Sequence, residues 1–132
     1  MVVNSTHRKA LTRLVLSQHP LAVERLRYKK RYHTQSVPRE LRKCRFGCDA
    51  VEDAEHAMFF CEHSAMLLER RKNFSSKVSG HVPAVLRISS STATAVLKAL
   101  VFNRVTVCQV AKFVHQVFQI FDAEPIVWPN GF

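Results

Sequence analysis

Residues 44–61 read CRFGCDAVEDAEHAMFFC and contain three cysteines and one histidine at C-x3-C-x7-H-x4-C spacing. Three thiolates and one imidazole form a ligand set that closes a tetrahedral structural zinc site. Cys44 and Cys48 can hold the ion from one tight turn, because a glycine lies between them. His56 and Cys61 can close the site from one side of a helical turn. The spacing therefore predicts one zinc ion bound by these four residues.

Other interpretations of this cluster are open at the level of the sequence. The three cysteines can be unrelated, or two of them can form a disulfide and leave one thiol over. We expect neither, because we find no signal-peptide pattern and disulfides are rare inside cells. His63 lies close enough to Cys61 to replace His56. Residues two apart point to opposite sides of a helix, so we predict His56 as the ligand.

The cluster and its neighbouring segments resemble one family. VPRELRKCRF (37–46) and VEDAEHAMFFC (51–61) are similar to the cysteine–histidine segment near the C terminus of reverse-transcriptase-like proteins from fungal, basidiomycete-type non-LTR retrotransposons. SQHPLAVERLRY (17–28) and AKFVHQVFQIFDAEPI (111–126) resemble the flanking segments of those proteins. In the family the second cysteine stands at the position of Gly47, so this chain departs from the pattern by one residue. The resemblance implies a zinc knuckle that accompanies a polymerase encoded in another domain.

Length and composition bound the possible functions. The chain has 132 residues, enough for one small domain, and 47% of them are apolar and can supply a core. Twenty Lys and Arg against ten Asp and Glu give a formal net charge of +10, which favours an anionic partner. No apolar run approaches the ~18 residues of a membrane span, so we expect no membrane partner. The cysteines suit a reducing compartment, and we expect the nucleus or the cytoplasm.

The sequence shows none of the common catalytic patterns. We find no glycine-rich phosphate loop, no Ser-His-Asp signature and no grouped carboxylates that would hold two catalytic metal ions. Asp53 and Glu55 are not convincing catalytic carboxylates, because they are explained, with Glu52, by the start of a helix, where the helix dipole favours acids. We therefore expect neither an enzyme nor a small-molecule substrate.

RNA or DNA is the expected anionic partner, bound by a basic arm between residues 25 and 45. The arm holds nine Lys or Arg and one acid, Glu40. Its cations attract phosphates, and its two tyrosines offer stacking surface for unpaired bases. The alternative is a solvated face whose tyrosines are buried in the core. The predicted nucleic-acid-binding residues are Arg25, Arg27, Tyr28, Lys29, Lys30, Arg31, Tyr32, Arg39, Arg42, Lys43 and Arg45.

Apolar spacing outside the cluster predicts a mainly α fold, a small helical domain stapled by the zinc site. Ser5 or Thr6 is expected to cap the first helix. Turns are expected over 75–91, which are rich in serine and contain Gly80 and Pro83. The helices are expected over 5–18, from 20 onwards, over 63–74 and over 92–122, the last with a break near Asn103. We predict one domain, with N-terminal helices and the basic arm at 1–39, the zinc knuckle at 40–62 and C-terminal helices at 63–132.

The stretch 105–121 has a wide apolar face, which is either the core or a surface for a partner such as a polymerase domain. Cys108 and His115 lie two turns apart on it, about 10 Å, too far to share a metal ion. Two hypotheses of function follow. In the first, the chain is a zinc-binding, nucleic-acid-binding, non-catalytic segment that supports a polymerase. In the second, it is a structural or protein-interaction zinc module that uses the apolar helix.

Overall fold

The computed structural model describes residues 2–27 and 36–130, and in these ranges the chain is mainly helical. The described residues contain no β-strand, and an isolated antiparallel bridge joins Lys43 to Val51. The predicted mainly α fold is confirmed. The α-helices are α1 (Ser5–Val15), α2 (Ala22–Arg25), α3 (Ala65–Val78), α4 (Ala93–Phe102) and α5 (Val107–Asp122). Arg39–Leu41 and Pro83–Leu86 form 3₁₀ turns, and His56–Phe60 forms a π-helical turn.

Helix α5 is the centre of the packing. Apolar residues spaced by threes and fours along it turn one stripe towards the other helices, and α1, α3 and α4 all contact it. On the α3 side, the rings of Phe74 and Phe113 stack with centroids 4.4 Å apart. The apolar face of this stretch is therefore core. Its buried residues are Val110, Ala111, Phe113, Val114, Val117, Phe118 and Phe121.

Several helix boundaries differ from the predicted ones by a few residues. Asn4 caps α1 instead of Ser5 or Thr6, because its Oδ1 accepts the N–H of His7 at 3.1 Å. Helix α3 continues to Val78, so the first residues of the segment predicted as turns are helical. Packing of Phe74 and Val78 in the core explains this extension, since a buried face overrides weak helix propensity.

The predicted break near Asn103 is present. Helix α4 ends at Phe102, and α5 begins at Val107. The Oδ1 atom of Asn103 accepts the N–H groups of Val105 and Thr106, at 2.8 and 3.3 Å, which forms a local turn in place of a continuous helix.

A buried ion pair ties three parts of the chain together. Arg45 Nη2 lies 2.6 Å from Glu52 Oε1, and the two side chains are 3% and 0% exposed. Glu52 also accepts the backbone N–H of Ala22 at 2.8 Å. Arg45 donates to the carbonyl oxygens of Pro20 and Phe121, both at 2.7 Å. Glu52 lies just before the helical turn that begins at residue 54, as predicted, but its carboxylate has another role. It neutralises a buried guanidinium that joins the knuckle to Pro20 and to the end of α5.

Candidate metal centre

Cys44 and Cys48 lie on a short hairpin. Its two arms pair through the bridge at Lys43, and Cys44 N–H donates to the carbonyl of Ala50 at 3.0 Å. Between the two cysteines, Gly47 N–H donates to the carbonyl of Cys44 at 3.1 Å with φ at +92°. Few residues other than glycine adopt that φ at low cost, so the tight turn expected between the cysteines depends on Gly47.

His56 and Cys61 lie at the two ends of the π-helical turn. Asp53 Oδ1 accepts the N–H of His56, the first residue of this turn, at 2.8 Å, as expected for an acid before a helical segment. Cys61 N–H then donates to the carbonyl of His56 at 2.8 Å, an i→i+5 bond. Residues five apart lie on different sides of an α-helix, whereas a π turn closes after five residues. The wider turn therefore brings both ends of the H-x4-C motif to the same side.

Arg71 of α3 holds this turn from behind. Its guanidinium donates to the carbonyls of Met58 and Cys61, each at 2.8 Å, and to that of Ala57 at 3.2 Å. Burial lowers the pKa of Arg71 below its ordinary value, although the guanidinium stays charged. These carbonyls have no partner within the turn, so Arg71 completes their hydrogen bonding. Sequence reasoning missed this residue, because a cation inside a basic run gives no signal of its target.

The four predicted ligands come together. The three sulfur atoms and a ring nitrogen of His56 all lie within 4.8 Å of one another. Cys61 Sγ is 3.8 Å from Cys44 Sγ and 3.8 Å from Cys48 Sγ. A tetrahedral ion with metal–sulfur bonds of about 2.3 Å has sulfur–sulfur edges of about 3.8 Å. The cysteines are free, and these separations are far longer than a disulfide bond. The cluster can hold a metal ion.

The His56 ring supports the same conclusion. The residue is 7% exposed, and its Nε2 atom is buried without a hydrogen-bond partner. An unpaired buried polar atom costs about 1–3 kcal/mol, and native proteins rarely leave one unsatisfied. A metal ion in the cluster gives the imidazole a partner. The donor set of three sulfurs and one imidazole therefore fits a metal ion.

His63, the alternative ligand, has a different role. Its Nδ1 lies 3.1 Å from the carbonyl oxygen of Phe46 and 3.5 Å from Cys48 Sγ. A carbonyl only accepts hydrogen bonds, so Nδ1 donates here, and His63 is not among the residues whose ligand atoms lie within 4.8 Å of one another. The chain between Cys61 and Ser64 is not helical, so the helix argument against His63 does not apply. The hydrogen bond to Phe46 is the better reason.

The contact between Cys44 and Cys61 moves the pKa values of the two thiols in opposite directions. The hydrogen bond with Cys61 and, to a smaller extent, burial raise the pKa of the Cys44 thiol to about 12. The same hydrogen bond lowers the pKa of Cys61. Metal ligation requires deprotonated sulfur, so an ion bound by the cluster displaces the thiol protons.

The predicted nucleic-acid-binding residues fall into three groups. Arg42 donates to the carbonyls of Val23 and Val37, both at 3.0 Å, and like Arg45 it makes internal contacts. The structure assigns these two guanidinium groups to the fold, and we remove them from the predicted surface. Arg25, Arg27, Arg39 and Lys43 are exposed. Tyr28, Lys29, Lys30, Arg31 and Tyr32 lie outside the described residues.

The exposed cations of the arm are mostly paired with acids. Arg27 lies 3.5 Å from Glu24, Arg39 lies 3.3 Å from Asp53, and Lys43 lies 2.9 Å from Asp49. A phosphate group at these positions competes with a carboxylate that is already in place. The arm is thus less positive in the described structure than its sequence indicates.

Comparisons with known proteins add no relative. No protein-family model matches the chain, and no similar protein is found among the curated proteins or the solved structures. Among the described residues, no helix combines the length and apolar character needed to cross a membrane. The resemblance to retrotransposon proteins stays a prediction.

Proposed function

We propose that Cys44, Cys48, His56 and Cys61 bind one structural zinc ion. The observation that carries the proposal is the pair of 3.8 Å sulfur–sulfur distances, which match the edges of a zinc–thiolate tetrahedron. Thiolate and imidazole ligands in tetrahedral geometry favour zinc over magnesium or calcium, which prefer oxygen. Four protein ligands leave no position for a substrate, so the role is structural and not catalytic.

The ion joins the hairpin to the π turn. Cys44 and Cys48 come from the hairpin, whereas His56 and Cys61 come from the π turn beside the core. Because the unfolded chain has no preformed site, the free energy of binding adds to folding stability. The zinc ion thus supplements a small hydrophobic core.

Elemental analysis of the protein refolded with zinc tests this proposal. We expect one zinc ion per chain, and Cys48→Ser should lower both the zinc content and the melting temperature. Cys108→Ser is the matched control, because Cys108 lies on α5 outside the cluster. Absence of zinc after refolding with the metal present contradicts the proposal.

We further propose that the domain binds RNA or DNA. The support is the formal net charge of +10 together with the exposed cations Arg25, Arg27, Arg39 and Lys43. The arm segment 28–32 adds three cations and two tyrosines by sequence. Binding through phosphates weakens with salt by about 0.7–0.9 log units per contact for each log unit of salt. A titration with potassium chloride tests this, and salt-independent binding contradicts it.

The resemblance to retrotransposon proteins supports a role beside a polymerase, without catalysis by this chain. The purified protein should show no magnesium-dependent polymerase, nuclease or ribonuclease H activity. Turnover that is lost in Asp53→Asn or Glu55→Gln would contradict this. These carboxylates have other partners, because Asp53 caps the π turn and Glu55 accepts from Thr94 at 3.2 Å.

The alternative function is a structural or protein-interaction zinc module. Its predicted surface, the apolar stripe of α5, is buried in the core. Large apolar side chains are exposed beside this stripe at the junction of α4 and α5, where Phe102 is 79% exposed and Val105 is 61% exposed. Two exposed apolar side chains are a small surface for a partner. A partner whose binding is salt-independent and lost in Phe102→Ser favours this alternative.

A further inference from the structure

A groove between α3 and α5 has a rim made of hydrogen-bond donors. On α3 the rim residues are Arg70, Asn73 and Lys77, and on α5 they are Gln109, Lys112 and Gln116. Each set has i, i+3, i+7 spacing, which places its three residues on one face of its helix. We call these six residues the α3–α5 groove.

The charge of the groove has one sign. Its lining contains three cations and no carboxylate. Arg70, Lys77 and Lys112 are exposed, and none of them has an acidic partner among residues 2–27 and 36–130. This distinguishes the groove from the basic arm, whose Arg27, Arg39 and Lys43 are each paired with an acid. The groove is therefore a place where three cations are open to an anionic ligand.

The three amides complement the cations. Asn73, Gln109 and Gln116 donate hydrogen bonds without adding charge, and amide side chains are common contacts to phosphate oxygens. Phosphate recognition by mixed cations and amides fixes the register of a backbone and does not read its sequence. The groove therefore has the chemistry of a non-specific phosphate surface.

The groove is small and has an aromatic floor. Its floor is the stacked pair Phe74 and Phe113, and its volume is about 70 Å³. Small-molecule pockets are typically about 300–1,000 Å³, so this depression suits an extended ligand that lies across the rim. Seven residues along a helix span about 10 Å, the axial length of about three phosphates of one DNA strand.

We propose that the α3–α5 groove binds the sugar–phosphate backbone of a nucleic acid. The inference rests on the proposed nucleic-acid binding and moves its main phosphate contacts from the arm to the two longest helices. The three cations contact phosphates, and the amides hydrogen-bond to phosphate oxygens between them. The stacked Phe74 and Phe113 keep the two helices at a fixed separation.

Fluorescence anisotropy with a labelled single-stranded oligonucleotide tests the groove, at about 50–200 mM potassium chloride. The groove variant is Arg70→Gln/Lys77→Gln/Lys112→Gln. Loss of three phosphate contacts should reduce the salt slope by about 2 and lower affinity on the order of 100-fold at 0.1 M salt. The matched control is Arg87→Gln/Lys98→Gln/Arg104→Gln, which removes the same charge from exposed positions outside the groove and the arm.

A charge-neutral variant provides a second test. Asn73→Leu/Gln116→Leu should lower affinity roughly tenfold through two lost hydrogen bonds, with the salt slope unchanged. Circular dichroism and zinc content should match the wild type, because neither residue is in the core. If the triple variant folds poorly, this variant decides the question.

The possible outcomes distinguish binding at the groove from nucleic-acid binding elsewhere on the domain. Selective loss of binding in the groove variant supports the proposal. Equal loss in groove and control variants shows attraction by net charge alone, which overturns the groove and leaves nucleic-acid binding standing. A wild type that binds no oligonucleotide overturns both. If only binding to phosphatidylserine vesicles depends on the groove, its ligand is a membrane and the proposal is wrong.

Discussion

Replacing Glu52 by glutamine should destabilise the whole domain, because it leaves the charge of Arg45 buried without a counter-charge. The Arg45 side chain is 3% exposed, and its guanidinium lies 2.6 Å from a carboxylate that is 0% exposed. The guanidinium cannot lose its proton or reach water without giving up its bonds to Pro20 and Phe121. Removing one partner of such a pair costs about 3–5 kcal/mol.

The cost is large for a domain of this size. At about 2.1 cal/mol/K of unfolding entropy per residue, such a loss lowers the melting temperature of a 132-residue domain by roughly 10–20 °C. Urea denaturation of Glu52→Gln, followed by circular dichroism with zinc in excess, measures the free energy of unfolding. Zinc content measured in parallel shows whether the metal centre is retained.

Asp49→Asn is the matched control, since it also removes one carboxylate from an ion pair in the knuckle. Asp49 lies 2.9 Å from Lys43, but its side chain is 97% exposed, and water replaces the lost partner. We expect no measurable change in stability. If Glu52→Gln is as stable as Asp49→Asn, the Arg45 charge is not desolvated and the reasoning is refuted.

Other predictions concern groups around the metal centre and one buried histidine. Arg71→Met should lower zinc affinity about 10–100-fold in a chelator competition, whereas Arg70→Met should not, because only Arg71 holds the carbonyls of the π turn. His63→Ala should lower zinc affinity about tenfold, and His63→Asn should restore it, because the amide N–H replaces the Nδ1–H donor. If the absorption spectrum of the cobalt-substituted protein shifts in both variants, His63 is instead a ligand. Burial lowers the pKa of His19 below the value of 6.5 that it has in the unfolded chain, so the unfolded chain binds more protons and the free energy of unfolding falls as the pH drops below about 6.5. His19→Gln should make the free energy of unfolding less dependent on pH in this range. The same pH dependence in the variant and the wild type would contradict this.

The parts of the structure that follow from local pattern were predictable from the sequence. The three- and four-residue spacing of apolar residues in α5 reports its buried face directly, because that face repeats with the helix. Cysteine and histidine at metal-ligand spacing likewise identified Cys44, Cys48, His56 and Cys61, which the fold brings together. Both inferences need information only from residues close in sequence.

The π turn illustrates what local pattern does not carry. A five-residue interval between His56 and Cys61 is out of phase with an α-helix, and sequence propensities do not indicate where a helix widens. The wider turn is held by Asp53 at its start and by Arg71 from a different helix. The contact of Arg71 is tertiary, and the spacing of residues within the knuckle does not predict it.

The burial of charged side chains is a second feature that the sequence does not reveal. Arg45 belongs to a run of cations that resembles a solvated face, and Glu52 lies beside Asp53 like an acid at a helix start. Their burial depends on Pro20 and Phe121, which are far away in the sequence. Charged residues are almost never buried unless paired, so the sequence alone favours the solvated interpretation. The position of Arg45 directly after a metal ligand is the one signal that it is held inside.

Zinc K-edge X-ray absorption on the purified, zinc-loaded protein reports the ligands of the metal ion. We expect three sulfur neighbours at about 2.3 Å and one nitrogen neighbour at about 2.0–2.1 Å. His56→Ala should remove the nitrogen neighbour, whereas His63→Ala should preserve it, because only the His56 ring lies in the cluster. A shell of two sulfur and two nitrogen atoms, or a nitrogen that disappears with His63, would contradict the centre described by Cys44, Cys48, His56 and Cys61.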